Sequence, residues 1–242
     1  MSLGRGRIAL VEDLRFELGL YSLPEAARLA SIPSRTLTNW VRGYGYPVDG
    51  RMTKARPVIR LPDGDALSFV NLMEALALAG YREAGVPMQR VRKALDFAAR
   101  VMEHPHILAS ERLLTDGKEL FWEYQERSRN GELDLVNLSR QGQKVFPEAV
   151  MRYLRQVEWG PDRFVARWWP GPERGKGQVV VDPRRAFGAP VIAGTGIRTE
   201  DLFSRFRAGE PLNELAHDYG VKLGDVEAAI RIEAGFLEAA AA

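Results

Sequence analysis

The sequence predicts a mainly helical α+β chain made of three successive units. Helical patterns recur up to residue 103, a mixture of strand-like and helical segments follows, and a strand pair with three helices completes the chain. The stretch 170–177 consists mostly of proline, glycine and charged residues, which marks the last boundary. The predicted units are residues 1–103, 104–177 and 178–242.

Composition excludes several classes of protein. The chain has 242 residues, of which 45% are hydrophobic and 27% charged, a composition typical of globular domains. The absence of cysteine excludes disulfides, thiolate metal sites and thiol nucleophiles. Apolar runs are shorter than the ~18 residues of a membrane span, and the first residues lack the pattern of a signal peptide. We therefore expect a cytoplasmic protein without membrane contact.

Charge is distributed unevenly although the net charge is only +2. Residues 21–60 carry seven basic and two acidic side chains, a local excess of +5. Residues 178–242 carry seven basic and ten acidic side chains, a local balance of −3. The two ends of the chain are therefore expected to bind different partners.

Residues 22–42 have the pattern of a helix-turn-helix. Ser22 can cap a first helix, an apolar residue at position 32 can fill the turn, and Ser34 is expected to cap the second helix. Leu37, Trp40 and Val41 share one face of that second helix, which leaves its polar residues on the other face.

The polar face of the second helix suits double-stranded DNA. Arginine can bind guanine through two hydrogen bonds, asparagine can do the same for adenine, and hydroxyl groups can bind phosphates. We expect a winged hairpin over 58–61 and 66–69, joined by a turn at 62–65, with basic residues near its base. The candidate DNA-binding residues are Ser34, Arg35, Thr36, Thr38, Asn39, Arg42, Arg51, Lys54 and Arg56. Alternatively, these residues merely solvate one face of a trihelical unit.

The middle unit is predicted to be a small α+β fold. Segments 112–114 and 119–123 flank an Asp-Gly turn typical of a hairpin, 145–157 suits a helix, and 163–169 suits a strand. Four tryptophans fall in this unit, and they either line a ligand pocket or anchor a core. They are Trp122, Trp159, Trp168 and Trp169.

The C-terminal unit is predicted to contain a β-hairpin and three helices. Thr199 is expected to cap the first helix, Gly209 to Pro211 end it, and a second helix-turn-helix pattern follows. The last helix presents Asp225, Glu227 and Glu233, which would repel phosphates. We therefore expect a unit that dimerises or binds protein, with simple packing against its neighbours as the alternative.

No enzyme chemistry is apparent in the sequence. His104, His106 and His217 lack the spacing of metal ligands. Gly194 and Gly196 lack the remaining residues of a dinucleotide or phosphate loop, and there is no nucleophile elbow. The expectation is a protein that is not an enzyme and has no catalytic residue, metal or cofactor.

Two family resemblances meet in the chain. Residues 21–103 resemble the MerR-type winged helix-turn-helix, through YSLPEAARLA at 21–30 and YREAGVPMQRVR at 81–92. The C-terminal unit is similar to the family called domain of unknown function 433. The matching segments are VDP at 181–183, FGAPVIAGT at 187–195, FRAGE at 206–210 and LAHDYG at 215–220.

The combined resemblance implies a VapB-type antitoxin of a bacterial toxin–antitoxin module. Its implied partners are a PIN-like ribonuclease toxin, which it would neutralise, and the double-stranded operator DNA of its own operon, which it would repress. A homodimer or higher homo-oligomer is expected because one short helix reads too few base pairs. The helix break at 104–106 departs from the long coiled coil of MerR regulators. The alternatives are a stand-alone regulator sensing a small molecule through the aromatic middle unit, and a scaffold without a DNA role.

Overall fold

The protein is described by a computed structural model over residues 13–48, 50–62, 64–102, 106–113, 121, 136–138, 144–171 and 178–241. It is α+β and mainly helical, and every sheet in these ranges is a pair of antiparallel strands. The predicted fold class is confirmed. None of the helices described has the length and apolar character that crossing a bilayer requires.

The N-terminal elements comprise five α-helices and one strand pair in the described ranges. They are α1 (Leu14–Glu17), α2 (Leu23–Leu29), α3 (Ser34–Arg42), β1 (Tyr44–Val48), β2 (Arg51–Ala55), α4 (Phe69–Glu83) and α5 (Met88–Met102). The helical pattern in this region divides into α4 and α5, because Gly85 adopts a φ of +76° and Pro87 precedes the new helix. Ser68 and Asn71 cap each other's backbone at the start of α4.

Of the two helix caps predicted in the helix-turn-helix, the structure confirms one. Ser22 caps α2 as predicted, since its Oγ accepts a hydrogen bond of 3.3 Å from the Glu25 amide. The predicted cap of α3 is wrong, because Pro33 holds the cap position and Ser34 is the first helical residue. Proline brings no side-chain acceptor, so this helix end has no side-chain cap.

The predicted position of the wing is also wrong. The hairpin lies earlier, in β1 and β2, where Val48 pairs with Arg51 across a two-residue connection of sequence Asp-Gly. That dipeptide favours a tight hairpin turn, and Gly50 has the left-handed φ of +76° that such turns need. Segment 58–61 is not a strand, and 66–69 contains only a single bridge from Leu67 to Tyr21 before α4 starts.

The middle unit mixes short helices and strands. Its elements are 3₁₀ turns at Ile107–Ala109 and Glu111–Leu113, β3 (Asn137–Leu138), β4 (Lys144–Val145), α6 (Glu148–Gln156), β5 (Val157–Trp159) and β6 (Val165–Trp168). The predicted helix and the last strand are confirmed with shorter bounds. The strand predicted at 112–114 is wrong at its start, where a 3₁₀ turn forms instead, and the hairpin at 115–118 and Trp122 lie outside the described residues.

The N-terminal and middle elements share one hydrophobic core. Tyr81 of α4 packs near the rings of Phe121 and Phe146, with centroids 6.4 and 6.3 Å away. Gly80 of the same helix lies against the backbone of Val150 in α6, where a side chain would be tightly crowded. Close packing of α4 on α6 therefore joins the two predicted units, and the boundary between them remains a prediction.

The C-terminal unit has a smaller core of its own. Its elements are β7 (Val179–Val180), β8 (Val191–Ile192), α7 (Thr199–Arg207), α8 (Leu212–Tyr219) and α9 (Leu223–Ala241). The predicted hairpin, three helices and turn at Gly220 are confirmed. Thr199 does not cap α7 as predicted. It is the first helical residue and is fully buried, so its hydroxyl serves tertiary contacts instead.

The long helix α9 connects this unit to the rest of the protein. Phe236 inserts into the larger core and lies 6.0 Å from the ring of Trp168. Glu233, predicted on an exposed acidic face, is buried and binds Arg28 of α2 at 2.6 Å. The backbones of Trp168 and Val181 also exchange two hydrogen bonds of 3.0 and 2.8 Å across the junction. The C-terminal unit is thus anchored to both preceding units.

Candidate nucleic-acid interface

Helix α3 separates an apolar face from a polar one. Leu37, Trp40 and Val41 are buried in the core, as the sequence predicted. On the other face the structure exposes Ser34, Arg35 and Arg42 and leaves Thr36, Thr38 and Asn39 half-buried. The six polar residues predicted on this helix therefore lie together at the surface.

The turn before α3 holds the helix in place. Ser31 adopts a left-handed φ of +56°, and the Ile32 amide donates a 3.0 Å hydrogen bond to the Ala27 carbonyl. At the other end, the Trp40 carbonyl accepts hydrogen bonds of 2.7 and 3.1 Å from the Val58 and Ile59 amides. Both ends of α3 are thus fixed by backbone contacts, which leaves its polar side chains free to bind.

The polar side chains differ in how far they are already engaged. Arg42 forms a 3.3 Å ion pair with Asp65, and both side chains are mostly exposed, so exchanging this partner for a phosphate costs little. The Thr38 hydroxyl donates to the Ser34 carbonyl at 2.9 Å and keeps its lone pairs for a ligand. Arg35 and Asn39 are four residues apart, one above the other on the helix surface. Their side chains lie next to each other, and the pair is the candidate for reading neighbouring bases.

The wing places its basic residues on both faces of the hairpin. Because paired residues of a strand pair share a face, Arg51 lies on the face of Val48, and Lys54 lies on the opposite face with Gly45. Arg56 follows the end of β2, and all three basic side chains are exposed. Sequence reasoning put these residues near the base of a later hairpin, whereas Arg51 and Lys54 belong to the hairpin itself.

Arg92 of α5 supports the wing and was not singled out by the sequence. Its guanidinium donates to the Arg56 carbonyl and lies over the ring of Tyr44, 5.7 Å from the centroid. Burial lowers the pKa of Arg92, which is partly removed from water. The contact joins residues 36 positions apart, so no local pattern could have predicted it.

The histidines form no metal site in the described ranges, where no cluster of three potential ligands occurs. His106 Nδ1 lies 3.0 Å from Glu74 Oε1, and this contact raises its pKa against the opposing effect of burial. His217 is exposed beside Asp218, and His104 lies outside the described residues.

Two family models match separate parts of the chain. Residues 19–95 match the family described as "Putative DNA-binding HTH domain", and residues 179–231 match "Protein of unknown function (DUF433)". The chain is 40% identical over 220 residues to "Putative antitoxin VapB45" of Mycobacterium tuberculosis, covering 86% of this chain and 91% of the relative. The chain belongs to the VapB45 antitoxin family.

Two further matches come from the same organism. The "Uncharacterized protein Rv2308" is 26% identical over 230 residues, covering 87% of this chain and 88% of the relative. The crystal structure of Rv2018 matches with a TM-score of 0.70 and 37% identity, over 90% of this chain and all of the other. The helix-turn-helix assignment is confirmed, whereas nothing in these matches identifies the winged domain as MerR-type.

Gly43, between α3 and the wing, should tolerate no side chain. Its φ of +72° with ψ of 179° is a region open essentially to glycine alone, and a Cβ there would overlap the Ala55 carbonyl oxygen. Gly50 at the wing tip also has a positive φ but has open space around its Cβ position. We expect Gly50→Ala to lower the free energy of unfolding by roughly 1–2 kcal/mol, because only its positive φ is unfavourable. Gly43→Ala should lower it by at least about 2 kcal/mol more, because it adds the overlap. Urea unfolding of both variants measures this, and equal losses would contradict the described junction.

Proposed function

We propose that the chain is an antitoxin that represses its own operon and neutralises a PIN-like ribonuclease toxin. The observation that carries this proposal is the similarity to "Putative antitoxin VapB45" over 86% of this chain, which includes both the helix-turn-helix and the C-terminal unit. A protein related only through its DNA-binding domain would give no reason to propose a toxin partner.

The proposed DNA contacts come from α3 and the wing. Arg35 and Asn39 would read base edges in a major groove, and the hydroxyl residues Ser34, Thr36 and Thr38 would contact phosphates beside them. Arg42 and the wing residues Arg51, Lys54 and Arg56 would bind the flanking backbone. A homodimer would present two such helices to a palindromic operator.

The proposed toxin contact lies in the C-terminal unit. Its helices expose carboxylates that would repel DNA, namely Glu200, Asp201, Glu214, Asp218 and Glu227. Arg205 partly neutralises this surface by pairing with Glu210 and Asp218. Because this unit is unsuited to a polyanion, a protein surface is the better partner for it.

A second candidate function rests on one crevice. A cavity of about 310 Å³ opens between α2, α4, α6 and α9, and Trp168 and Phe236 lie among its apolar walls. Arg152 and Arg231 also line it, but Arg152 pairs with Glu83 of the same wall at 3.2 Å, so Arg231 is the side chain that would suit an anionic group of a small molecule. A regulator of this kind would bind its operator without needing a toxin.

Loss of the reading pair should remove sequence preference. Each good bidentate base contact contributes about 1–3 kcal/mol of discrimination, so Arg35→Ala and Asn39→Ala should each reduce the preference for the chain's own upstream DNA over a scrambled duplex about tenfold or more. Lys54→Ala should instead weaken binding to both duplexes and lower the salt slope by about one.

Fluorescence anisotropy at several salt concentrations measures both effects, with Arg198→Ala in the C-terminal unit as the matched control. Preserved preference in Arg35→Ala and Asn39→Ala, with circular dichroism unchanged, would refute the reading role of α3.

Co-expression tests the antitoxin role. The tagged chain is produced together with the product of its neighbouring gene, and complex formation and bacterial growth are recorded. We expect a stable complex and relief of the growth arrest that the neighbour causes alone. Intact binding to upstream DNA without any complex would overturn the antitoxin proposal and favour the small-molecule regulator.

A further inference from the structure

The loop between β7 and β8 exposes an aromatic ring to solvent. Phe187 is 85% exposed, the most exposed of the large apolar side chains in the described part of the chain. An isolated exposed apolar residue is ordinary on a protein surface. Phe187 differs from that case in its backbone, its anchoring and its neighbours.

The backbone around Phe187 is strained. Ala186 and Phe187 have φ values of +44° and +54°, and Gly188 continues in the left-handed region at +76°. A bulky residue at positive φ is a rare conformation that costs free energy. Glycine would remove that cost at position 187, so the phenylalanine there is unfavourable for the stability of this loop.

The loop is nevertheless held firmly at both ends. The Asp182 carboxylate accepts the Arg184 amide at 3.0 Å and binds Arg167 at 2.9 Å. At the other end, the buried Tyr21 hydroxyl donates to the Gly188 carbonyl at 2.9 Å. The ring of Phe187 is thus presented by a rigid loop, and a rigid anchor loses little conformational entropy on binding. Strain maintained by surrounding contacts is characteristic of binding sites.

Two arginines precede Phe187 in the same loop. Arg184 and Arg185 are both exposed, and neither forms an ion pair within the ranges that the structure describes. A partner that receives Phe187 therefore meets two positive charges beside an apolar knob. The complementary surface is an apolar pocket bordered by carboxylates.

We propose that Phe187, with Arg184 and Arg185, is the anchor by which this chain docks on its protein toxin, at an apolar pocket with an acidic rim. The proposal rests on the antitoxin function proposed above and adds the surface that carries it. In this proposal the C-terminal unit still makes the toxin contact, but a basic, aromatic loop makes it and the exposed carboxylates of the helices do not.

A protein partner fits this loop better than DNA. An apolar side chain in the same loop as two arginines can also enter a minor groove. However, residues 178–242 carry a balance of −3, and their exposed carboxylates would oppose approach to a phosphate backbone. DNA is therefore kept as an outcome of the test.

The test uses the full-length chain and the purified product of the neighbouring gene, with affinity measured by isothermal calorimetry. Phe187→Ala should weaken the complex at least about tenfold, as expected for a central aromatic anchor. Phe187→Gly should weaken it as much while raising the melting temperature, because glycine relieves the strain. Phe206→Ala, a half-exposed ring on α7, is the matched control and should bind like the unmodified chain.

The outcomes separate the two proposals. Absence of binding by the unmodified chain overturns the antitoxin function itself. Binding by the unmodified chain that is equally strong in Phe187→Gly overturns the anchor alone. A loss of operator affinity or of self-association in Phe187→Ala, with toxin affinity intact, also overturns it, since DNA or a second copy would then be the occupant.

Discussion

One buried ion pair ties the C-terminal unit to the DNA-binding motif. Glu233 of α9 has a side chain only 2% exposed, and its two oxygens bind Arg28 of α2 at 2.6 Å and the Thr199 hydroxyl of α7 at 2.5 Å. Breaking such a pair by removing one partner costs about 3 kcal/mol or more, because the remaining charge stays buried. The first helix of the DNA-binding motif is thereby fixed to two helices of the C-terminal unit.

The same region of the chain supports both of the proposed binding surfaces. The polar face of α3 and the loop that carries Phe187 belong to different units, yet both are tied to the segment around α2. Arg28 of α2 pairs with Glu233 of the C-terminal unit. Tyr21, just before α2, donates a hydrogen bond to the Gly188 carbonyl in the loop that carries Phe187. Toxin binding at the docking loop would therefore act on contacts that also hold the first helix of the helix-turn-helix.

Local patterns predicted much of the fold, and nonlocal contacts account for what they missed. The amphipathic spacing of α3, the Ser22 cap and the glycine breaks are local, and the structure confirms them. The wing was misplaced because Asp-Gly dipeptides occur both at 49–50 and at 63–64, and the hairpin was predicted around the second of them. Glu233 was assigned to an exposed acidic face and its pairing with Arg28 was missed, because nothing local reveals that residues 205 positions apart neutralise each other. Arg92 and Phe187 escaped notice for the same reason, since their roles depend on tertiary contacts and backbone conformation.

Because the chain contains no cysteine, spin labels can be introduced at chosen positions to test whether the N-terminal and C-terminal units form one rigid body. Spin labels at Lys93→Cys on α5 and Asn213→Cys on α8, both exposed, report the distance between the units by double electron–electron resonance. We predict one narrow distance distribution for the unmodified chain. It should broaden in Glu233→Ala and stay narrow in Glu227→Ala, an exposed control on the same helix. A distribution that is already broad in the unmodified chain, or one that Glu233→Ala leaves unchanged, would contradict this prediction.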